Sequence, residues 1–348
     1  MKKIEIYSNY SCCSHNLLLI SRQISKDMQT RPLYPPFTVG VDLGGTNTVY
    51  AIVDKTGYII DKDSFPTKTP SVEVWADMLA DGISAMIDRH SLQGDIVGIG
   101  IGAPSANATT GSIEGATNLP WPPPVPLANL MEARLGLPVK VNNDANAAAI
   151  GEKAYGVAAG MNNFIVLTLG TGVGGGVICN GHLLSGARGF AGELGHITFP
   201  FAADRMCGCG RKGCLETVAS ARGVVETARR MMADSDRHSS LRNIPTDQLT
   251  SKAIAEAAEA GDALAKEVFE FTGECLGKAA AEFAAFTDPE AIILFGGVAK
   301  AGDLLVEPMR EAFGKQTLHL YRDRVRFMIS ALEGANAALI GAASLPLL

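Results

Sequence analysis

The sequence contains Phe37-Thr-Val-Gly-Val-Asp-Leu43, followed by the turn Gly44-Gly45-Thr46 and by Thr48-Val-Tyr-Ala-Ile-Val-Asp54. Both apolar runs have the length and the β-branched content of buried strands, and the glycines allow the chain to reverse between them. This segment therefore predicts a strand, a tight glycine turn and a returning strand, with Asp42 at the end of the first strand.

The same pattern occurs a second time. Phe164-Ile-Val-Leu-Thr-Leu169 is followed by Gly170-Thr-Gly-Val-Gly-Gly-Gly176 and by Val177-Ile-Cys-Asn180, and Ile292-Ile-Leu-Phe-Gly-Gly297 resembles Ile99-Gly-Ile-Gly-Ala103. Two copies of one strand pair predict an α/β protein in which two like-folded halves face a cleft. Periodicity, capping residues and composition predict helices over residues 71–90, 127–136, 144–158, 216–232, 250–260, 262–286 and 335–345.

Length and composition limit the class of protein. A chain of 348 residues favours two domains. The formal net charge of −6 is spread without a basic stripe, which argues against a nucleic-acid partner. No apolar run approaches the length of a membrane span, and Leu17-Leu-Leu-Ile20 is too short for a signal-peptide core. We therefore expect a cytoplasmic protein with reduced cysteines and no membrane partner.

Residues 1–36 differ in character from the remaining chain. They contain Cys12-Cys13, Pro32 and Pro35-Pro36, and they show no clear periodicity. We expect a poorly ordered N-terminal extension, with Met28 as a possible natural start. The alternative interpretation is a small regulatory or DNA-binding arm, although the segment is too short for a complete winged-helix domain.

The second glycine turn admits two interpretations. Gly170-Thr-Gly-Val-Gly-Gly175 satisfies the G-x-G-x-x-G fingerprint of dinucleotide-binding dehydrogenases. That fingerprint must open a helix, whereas Val177-Ile-Cys-Asn-Gly181 continues as a hairpin, so the dehydrogenase interpretation is disfavoured. Two matched turns instead offer two sets of backbone N–H groups for phosphate oxygens, with hydroxyl donors at Thr46 and Thr171. Asp42 is suited to hold a hydrated Mg²⁺ ion on those phosphates.

One histidine and three cysteines are clustered in a glycine-rich segment. The spacing is His196, ten residues, Cys207, one residue, Cys209, four residues, Cys214. Thiolates with one imidazole form the ligand set of a closed tetrahedral zinc site, and four protein ligands leave no open position for catalysis. We therefore predict a structural Zn²⁺ ion, which would hold Glu193 and Glu216 near each other to face a polar ligand.

These motifs together resemble the ROK (repressor, open reading frame, kinase) family of bacterial sugar kinases, within the actin-like ATPase superfamily. They are most similar to the glucokinases of that family. The motifs that carry the resemblance are Asp42-Leu-Gly-Gly-Thr46, Asn143-Asp-Ala-Asn-Ala147, Leu169-Gly-Thr-Gly-Val-Gly174, Glu193-Leu-Gly-His196 and Cys207-Gly-Cys-Gly-Arg-Lys-Gly-Cys-Leu-Glu216. The last two together are highly specific, whereas the glycine motifs are shared with the wider superfamily.

The resemblance implies an actin-like ATPase (ribonuclease H-like) fold of two similar α/β domains that close on ATP and a sugar. The small domain would comprise residues 37–142 and 335–348 and would carry the first phosphate loop. The larger domain would comprise residues 143–334 and would carry the second phosphate loop, the zinc site and the sugar-binding residues. Because family members form dimers, a homo-oligomer is the expected assembly.

The resemblance also implies a role for each motif residue. Asp144 would be the general base, and the zinc ligands would be His196, Cys207, Cys209 and Cys214. The sugar hydroxyls would be held by Asn118, Asn143, Asp144, Glu193, His196 and Glu216. The ATP phosphates would meet Gly44, Gly45, Thr46, Gly170, Thr171 and Gly172, and the adenosine would lie near Gly296 and Gly297. A carboxylate at a helix N-terminus can accept the proton of an attacking hydroxyl, and we expect the helix dipole to keep Asp144 ionised.

The expected activity is ATP-dependent phosphorylation of the 6-hydroxyl of a hexose, with glucose first and fructokinase or N-acetylmannosamine kinase as alternatives. Gly102-Ala-Pro-Ser105 has serine where the family often has glycine, which is expected to reshape the sugar pocket and leaves the preferred hexose open. Some family members are sugar-responsive repressors that carry a helix-turn-helix domain and often lose kinase motifs. This chain keeps Asp42, Asp144 and both glycine loops, so the regulator interpretation is disfavoured.

Overall fold

Two five-stranded mixed sheets with matching strand orders form the centre of the fold. A computed structural model describes residues 32–115, 119–332 and 334–347, with no account of the side chains of residues 334–336. Residues from Pro36 onward form one compact unit. The predictions for residues 1–31 and for Asn118 therefore lie outside the described residues.

The first sheet contains the first predicted hairpin. The strands of this half are β1 (Phe37–Leu43), β2 (Asn47–Val53), β3 (Ile59–Pro66), β4 (Ile96–Gly102), β5 (Ala106–Asn107), β6 (Ser112–Ile113) and β7 (Val139–Asn142). The sheet order is β3-β2-β1-β4-β7, and β5 pairs separately with β6. β2 runs antiparallel to β1, whereas β4 and β7 run parallel to it.

The second sheet repeats this arrangement. Its strands are β8 (Phe164–Leu169), β9 (Val173–Cys179), β10 (His182–Leu183), β11 (Ala291–Phe295) and β12 (Arg326–Ile329), in the order β10-β9-β8-β11-β12. The antiparallel pairing of β8 with β9 and the parallel pairing of β8 with β11 match the first sheet strand for strand. The predicted internal repeat and the α/β fold class are therefore confirmed.

Nine α-helices are found among residues 32–115, 119–332 and 334–347. They are α1 (Val72–His90), α2 (Leu127–Leu135), α3 (Asp144–Tyr155), α4 (Glu216–Ala219), α5 (Ala221–Ala233), α6 (Ser251–Glu259), α7 (Ala263–Thr287), α8 (Asp303–Gln316) and α9 (Gly334–Ser344). Short 3-10 turns occur at Leu194–His196, Pro200–Ala202, Ser240–Asn243, Val298–Ala301 and Leu345–Leu347. No helix in the described part of the chain is long and apolar enough to cross a membrane.

Local chemistry explains where the helices begin. The Ser71 hydroxyl accepts a hydrogen bond from Val74 N and caps α1, whose buried Trp75, Leu79 and Ile83 recur at helical spacing. Ser220 divides the predicted helix 216–232 into α4 and α5, because it is extended and its side chain caps α5 by accepting from Gly223 N. The predicted helix 144–158 ends earlier, at residue 155.

Each sheet is covered by a helix that follows the other sheet in the chain. α3 follows β7 but packs on β9, where a Cβ placed on Gly176 would lie 2.6 Å from Ala149 Cβ. α9 follows β12 but packs on β1 and β4, where a Cβ on Gly40 or Gly100 would overlap the α9 backbone. The division into domains at residues 37–142 with 335–348 and at 143–334 stays a prediction.

Candidate active site

The first candidate site is a cavity of about 390 Å³ that contains Asp42 and Asp144. Strand register explains their proximity, because Asp42 pairs with Gly102 and Gly102 pairs with Asn142. The carboxyl ends of three parallel strands therefore meet at one edge, just before α3 begins with Asp144. The cavity is lined by Asp42, Asp144, Ala148, Thr168, Leu294, Phe295, Gly296, Gly297, Ala299, Lys300, Ile329, Ser330, Leu332 and Ala338.

Both carboxyl groups in this cavity have raised pKa values. Loss of solvent raises the pKa of Asp42 to about 6, and the neighbouring charge of Asp144 adds to the effect. Asp144 has an exposed surface in the cleft, yet surrounding protein atoms desolvate its carboxyl group and raise its pKa. Ala145 N donates a hydrogen bond of 2.8 Å to Asp144 Oδ1, which lowers the pKa less than desolvation raises it. Burial therefore opposes the expected effect of the helix N-terminus, and its contribution to the pKa of Asp144 is the larger of the two.

The two glycine turns both connect antiparallel strands. Gly44 N donates to Asn47 O at 3.1 Å in the first turn, and Gly170 N donates to Gly172 O at 3.0 Å in the second. Gly45, Thr46 and Thr171 are exposed, which leaves their surfaces available to a ligand. Because Gly170–Gly175 continues into β9 and not into a helix, the dinucleotide fingerprint lacks its required context.

Gly296 connects the second turn to the first cavity. Its φ of +105° favours glycine, and a Cβ at this position would lie only 2.6 Å from Leu169 O. β11 therefore ends against the strand that precedes Gly170, and both Gly296 and Gly297 line the cavity. Lys300 and Ser330 also line it, although no sequence motif indicated them.

His196, Cys207, Cys209 and Cys214 form the predicted cluster. Their ligand atoms all lie within 4.8 Å of one another. Cys209 Sγ is 3.6 Å from Cys214 Sγ, and Cys207 Sγ is 3.7 Å from His196 Nδ1. A tetrahedral zinc ion with Zn–S bonds of about 2.3 Å separates its sulfur ligands by roughly 3.8 Å. The donor set and its spacing therefore fit a tetrahedral metal ion.

Two arginines hold the segment around this cluster. The Arg205 guanidinium is buried and donates from Nη1 to Thr217 O at 2.9 Å and to Thr227 Oγ1 at 2.9 Å. Arg211 Nη2 donates to His196 O at 2.8 Å. The Arg205 contacts attach the cysteine segment to α4 and α5, and the Arg211 contact attaches it to the backbone at His196.

The two predicted carboxylates beside the cluster lie in different surroundings. Glu216 Oε2 accepts a hydrogen bond of 3.0 Å from Val173 N, at the start of β9, and thereby links the cysteine segment to the second glycine turn. Glu216 and Thr171 both line a groove of about 860 Å³ along α5. Glu193 instead lines a second, small cavity that does not include Asp144.

This second cavity has a volume of about 30 Å³. Its walls are Ser105, Ala106, Asn143, Asn146, Gly174, Gly175, Gly189, Phe190, Ala191, Gly192 and Glu193. Asn143 caps α3 by accepting from Ala145 N at 2.8 Å. Ser105 has a φ of +51°, a left-handed conformation that glycine adopts more readily. Ser105 thus takes the backbone shape of glycine while presenting a hydroxyl group.

Comparison with known proteins identifies the family. The ROK family profile matches residues 38–347, and the chain belongs to the ROK family. Glucokinase of Halalkalibacterium halodurans is 39% identical over 315 residues, which cover 87% of this chain and 92% of that protein. Glucokinase of Streptomyces coelicolor is 36% identical, with coverage of 88% and 96%. Xylose repressor of Caldicellulosiruptor bescii is 33% identical over 70% of this chain and 61% of its own length.

Solved structures give the same result for the fold. A ROK family glucokinase from Streptomyces griseus, in complex with glucose and AMPPNP, has 35% identity and a TM-score of 0.71. The match covers 89% of this chain and 98% of that one. A ROK hexokinase from Thermus thermophilus has 31% identity and a TM-score of 0.74, with coverage of 88% and 96%. The predicted actin-like ATPase fold is therefore confirmed.

Proposed function

We propose that this protein is an ATP-dependent hexose kinase that phosphorylates the 6-hydroxyl group of glucose. The observation that carries the proposal is the cavity shared by Asp42, Asp144 and the Gly296-Gly297 turn, beside two matched glycine hairpins. Glucokinases at 36% to 39% identity over most of the chain support the same activity.

Asp144 is the proposed general base. It begins α3 inside the cavity, so a hydroxyl group placed there meets its carboxylate. The raised pKa suits this role, because a base whose pKa approaches the working pH accepts a proton more readily and still releases it after transfer. The attacking oxygen gains nucleophilicity as its proton passes to the Asp144 carboxylate. This oxygen forms a bond to the γ-phosphorus of ATP while the bond from that phosphorus to the bridging oxygen breaks, and ADP is the leaving group.

ATP is proposed to lie across the two hairpins. The backbone N–H groups near Gly44–Thr46 and Gly170–Gly172 would hold its phosphates, with Thr46 and Thr171 hydroxyls as further donors. The adenosine would lie near Gly296 and Gly297. A magnesium ion bound with the nucleotide supplies charge neutralisation, and Asp42 would hold it through water.

The sugar is proposed to be held by Asn118, Asn143, Asp144, Glu193, His196 and Glu216. Carboxylates and amides suit this purpose because each can accept hydrogen bonds from neighbouring hydroxyl groups. A structural zinc ion on His196, Cys207, Cys209 and Cys214 would fix the segment that carries Glu216. We further propose a cytoplasmic homodimer of two-domain subunits, whose product enters glycolysis.

A coupled kinase assay tests the proposal. Wild-type protein is supplied with Mg-ATP and a panel of glucose, fructose, mannose and N-acetylmannosamine, and ADP release is measured. The expected result is turnover with the highest kcat/KM for glucose, and Asp144→Asn should lower kcat by about 10²- to 10⁴-fold. Absence of turnover with every sugar would exclude the kinase, and preference for another sugar would identify one of the alternative kinases.

A further inference from the structure

Both cavities are lined by residues at the start of α3. Asp144 and Ala148, four residues apart, line the larger cavity. Asn143 and Asn146, three residues apart, line the smaller one. Asn143 is the N-cap of α3 and Asp144 is its first residue, so the two cavities approach each other where the helix begins. A sugar whose reacting hydroxyl lies at Asp144 would therefore present its other hydroxyl groups toward the smaller cavity.

Asn146 carries a buried oxygen without a partner. Its side chain is only 3% exposed, and its Nδ2 donates to Asn142 Oδ1 at 3.0 Å. Asn142 Oδ1 also accepts from Asn143 N at 2.9 Å, so it acts as an acceptor and fixes the orientation of the Asn146 amide. The remaining atom, Asn146 Oδ1, has no hydrogen-bond partner among the described residues. Burial of an unpaired acceptor is unfavourable, which indicates that a donor occupies this position in the working state.

Space for such a donor exists because of glycine. Gly192 has a φ of +97°, and a Cβ at that position would lie 3.7 Å from Asn146 Oδ1. Gly175 and Gly192 also approach each other so closely that a Cβ on Gly175 would lie 2.5 Å from Gly192 O. The resulting cavity of about 30 Å³ has room for a hydroxyl group.

We propose that this cavity is a hydroxyl subsite, in which Asn146 Oδ1 accepts a hydrogen bond from a sugar hydroxyl other than the one that is phosphorylated. The inference rests on the proposed function and deepens it. Ser105 also lines this cavity and carries a hydroxyl group. Asn146 is thus a specificity-determining residue, because a sugar that lacks this hydroxyl leaves the buried oxygen unpaired.

The test combines Asn146→Leu with deoxysugars. Dissociation constants are measured without nucleotide for glucose and for the 1-, 2-, 3- and 4-deoxy analogues, with wild-type and variant protein. We expect Asn146→Leu to weaken glucose binding by about 5- to 10-fold, which is the loss of affinity expected when one neutral hydrogen bond is removed. For one deoxy analogue, wild-type and variant protein should bind equally.

Thr317→Val provides the matched control. Thr317 Oγ1 is also buried and has no hydrogen-bond partner in the described part of the chain, but Thr317 is not part of either cavity. This variant should leave every dissociation constant unchanged. An equal loss of affinity by Asn146→Leu for glucose and for all four analogues would overturn the proposal, because it would indicate a purely structural effect.

A crystal structure of the wild-type protein with glucose gives a second test that does not depend on the folding of a variant. A sugar oxygen within about 3.2 Å of Asn146 Oδ1 supports the subsite, and a water molecule or protein atom in that position overturns it. Failure of the kinase proposal is distinguished by the absence of phosphorylation in the hexose panel, since the binding measurements require no turnover.

Discussion

Replacement of Gly176 by alanine should disturb catalysis through the helix that carries Asp144. A Cβ at Gly176 would lie 2.6 Å from Ala149 Cβ and 2.7 Å from Ala145 O, whereas ordinary contact begins at 3.4 Å. Relief of the 2.6 Å contact to 3.4 Å requires α3 to move by about 0.8 Å, within a few residues of Asp144. Neither neighbour is a flexible side chain that can turn aside, so the helix itself must shift.

The expected magnitude follows from two opposing effects. Overpacking of a core lowers the free energy of unfolding by about 1–3 kcal/mol. Replacement of a glycine within a strand raises it by about 0.5–1 kcal/mol. We expect a net loss of about 1–2 kcal/mol in the free energy of unfolding, measured by urea denaturation. Because a displacement of 1 Å can cost about 100-fold in rate, kcat should fall by about 10-fold.

The control for this prediction is Gly314→Ala in α8. Outside the backbone of α8 itself and the two adjacent residues, no atom of the described residues lies within 4 Å of a Cβ at Gly314, so alanine meets no packed neighbour there. The substitution should stabilise the protein by about 0.5–1 kcal/mol through helix propensity alone and leave kcat unchanged. If Gly176→Ala were as stable and as active as Gly314→Ala, the close packing of α3 on β9 would be refuted.

The other predictions concern individual side chains. Cys209→Ser should remove zinc, measured by metal analysis, and weaken sugar binding at the same time; near-normal glucose affinity in a zinc-free variant would contradict the scaffold role. The pKa of Asp42 is raised to about 6 in the folded protein, so between pH 4 and 6 the unfolded state should bind fewer protons than the folded state. The free energy of unfolding should therefore fall as the pH rises through this window. Asp42→Asn should flatten this part of the urea-denaturation pH profile, and an unchanged slope would refute the raised pKa. Ser105→Gly should raise the unfolding free energy by about 1 kcal/mol, because glycine adopts a positive φ without strain; a loss of stability would show that the hydroxyl group contributes more than the strain costs.

Local patterns predicted much of the fold. The hairpin at residues 37–53 was identifiable because apolar strands flank a glycine turn, and α1 because Trp75, Leu79 and Ile83 repeat with one buried face. α8 was not predicted, since Pro308 lies inside it and interrupts its helical pattern. β12 was also missed, because four residues are too few to show alternation.

In the candidate site too, features encoded within one short segment were predictable from the sequence, whereas long-range contacts were not. The cysteine cluster is encoded by short spacings within one segment, so sequence reasoning identified every member that the structure brings together. The hydrogen bond from Val173 N to Glu216 spans 43 residues and depends on how the cysteine segment packs against β9. Asn146 Oδ1 is left unpaired because of the orientation of α3 and the hydrogen bond from Asn146 Nδ2 to Asn142 Oδ1. Neither feature can be predicted from a sequence motif.

The covering of each sheet by a helix from the other half has a consequence for synthesis on the ribosome. The first sheet is complete once β7 has emerged at residue 142, but α9, which packs on β1 and β4, begins only at residue 334. At a translation rate of about 5–20 residues per second, synthesis of the chain from residue 142 to residue 334 requires roughly 10–40 s. During that interval the face that later receives Leu339 and Ala343 is uncovered. The nascent chain should therefore depend on chaperones that bind apolar surface until the late helix arrives.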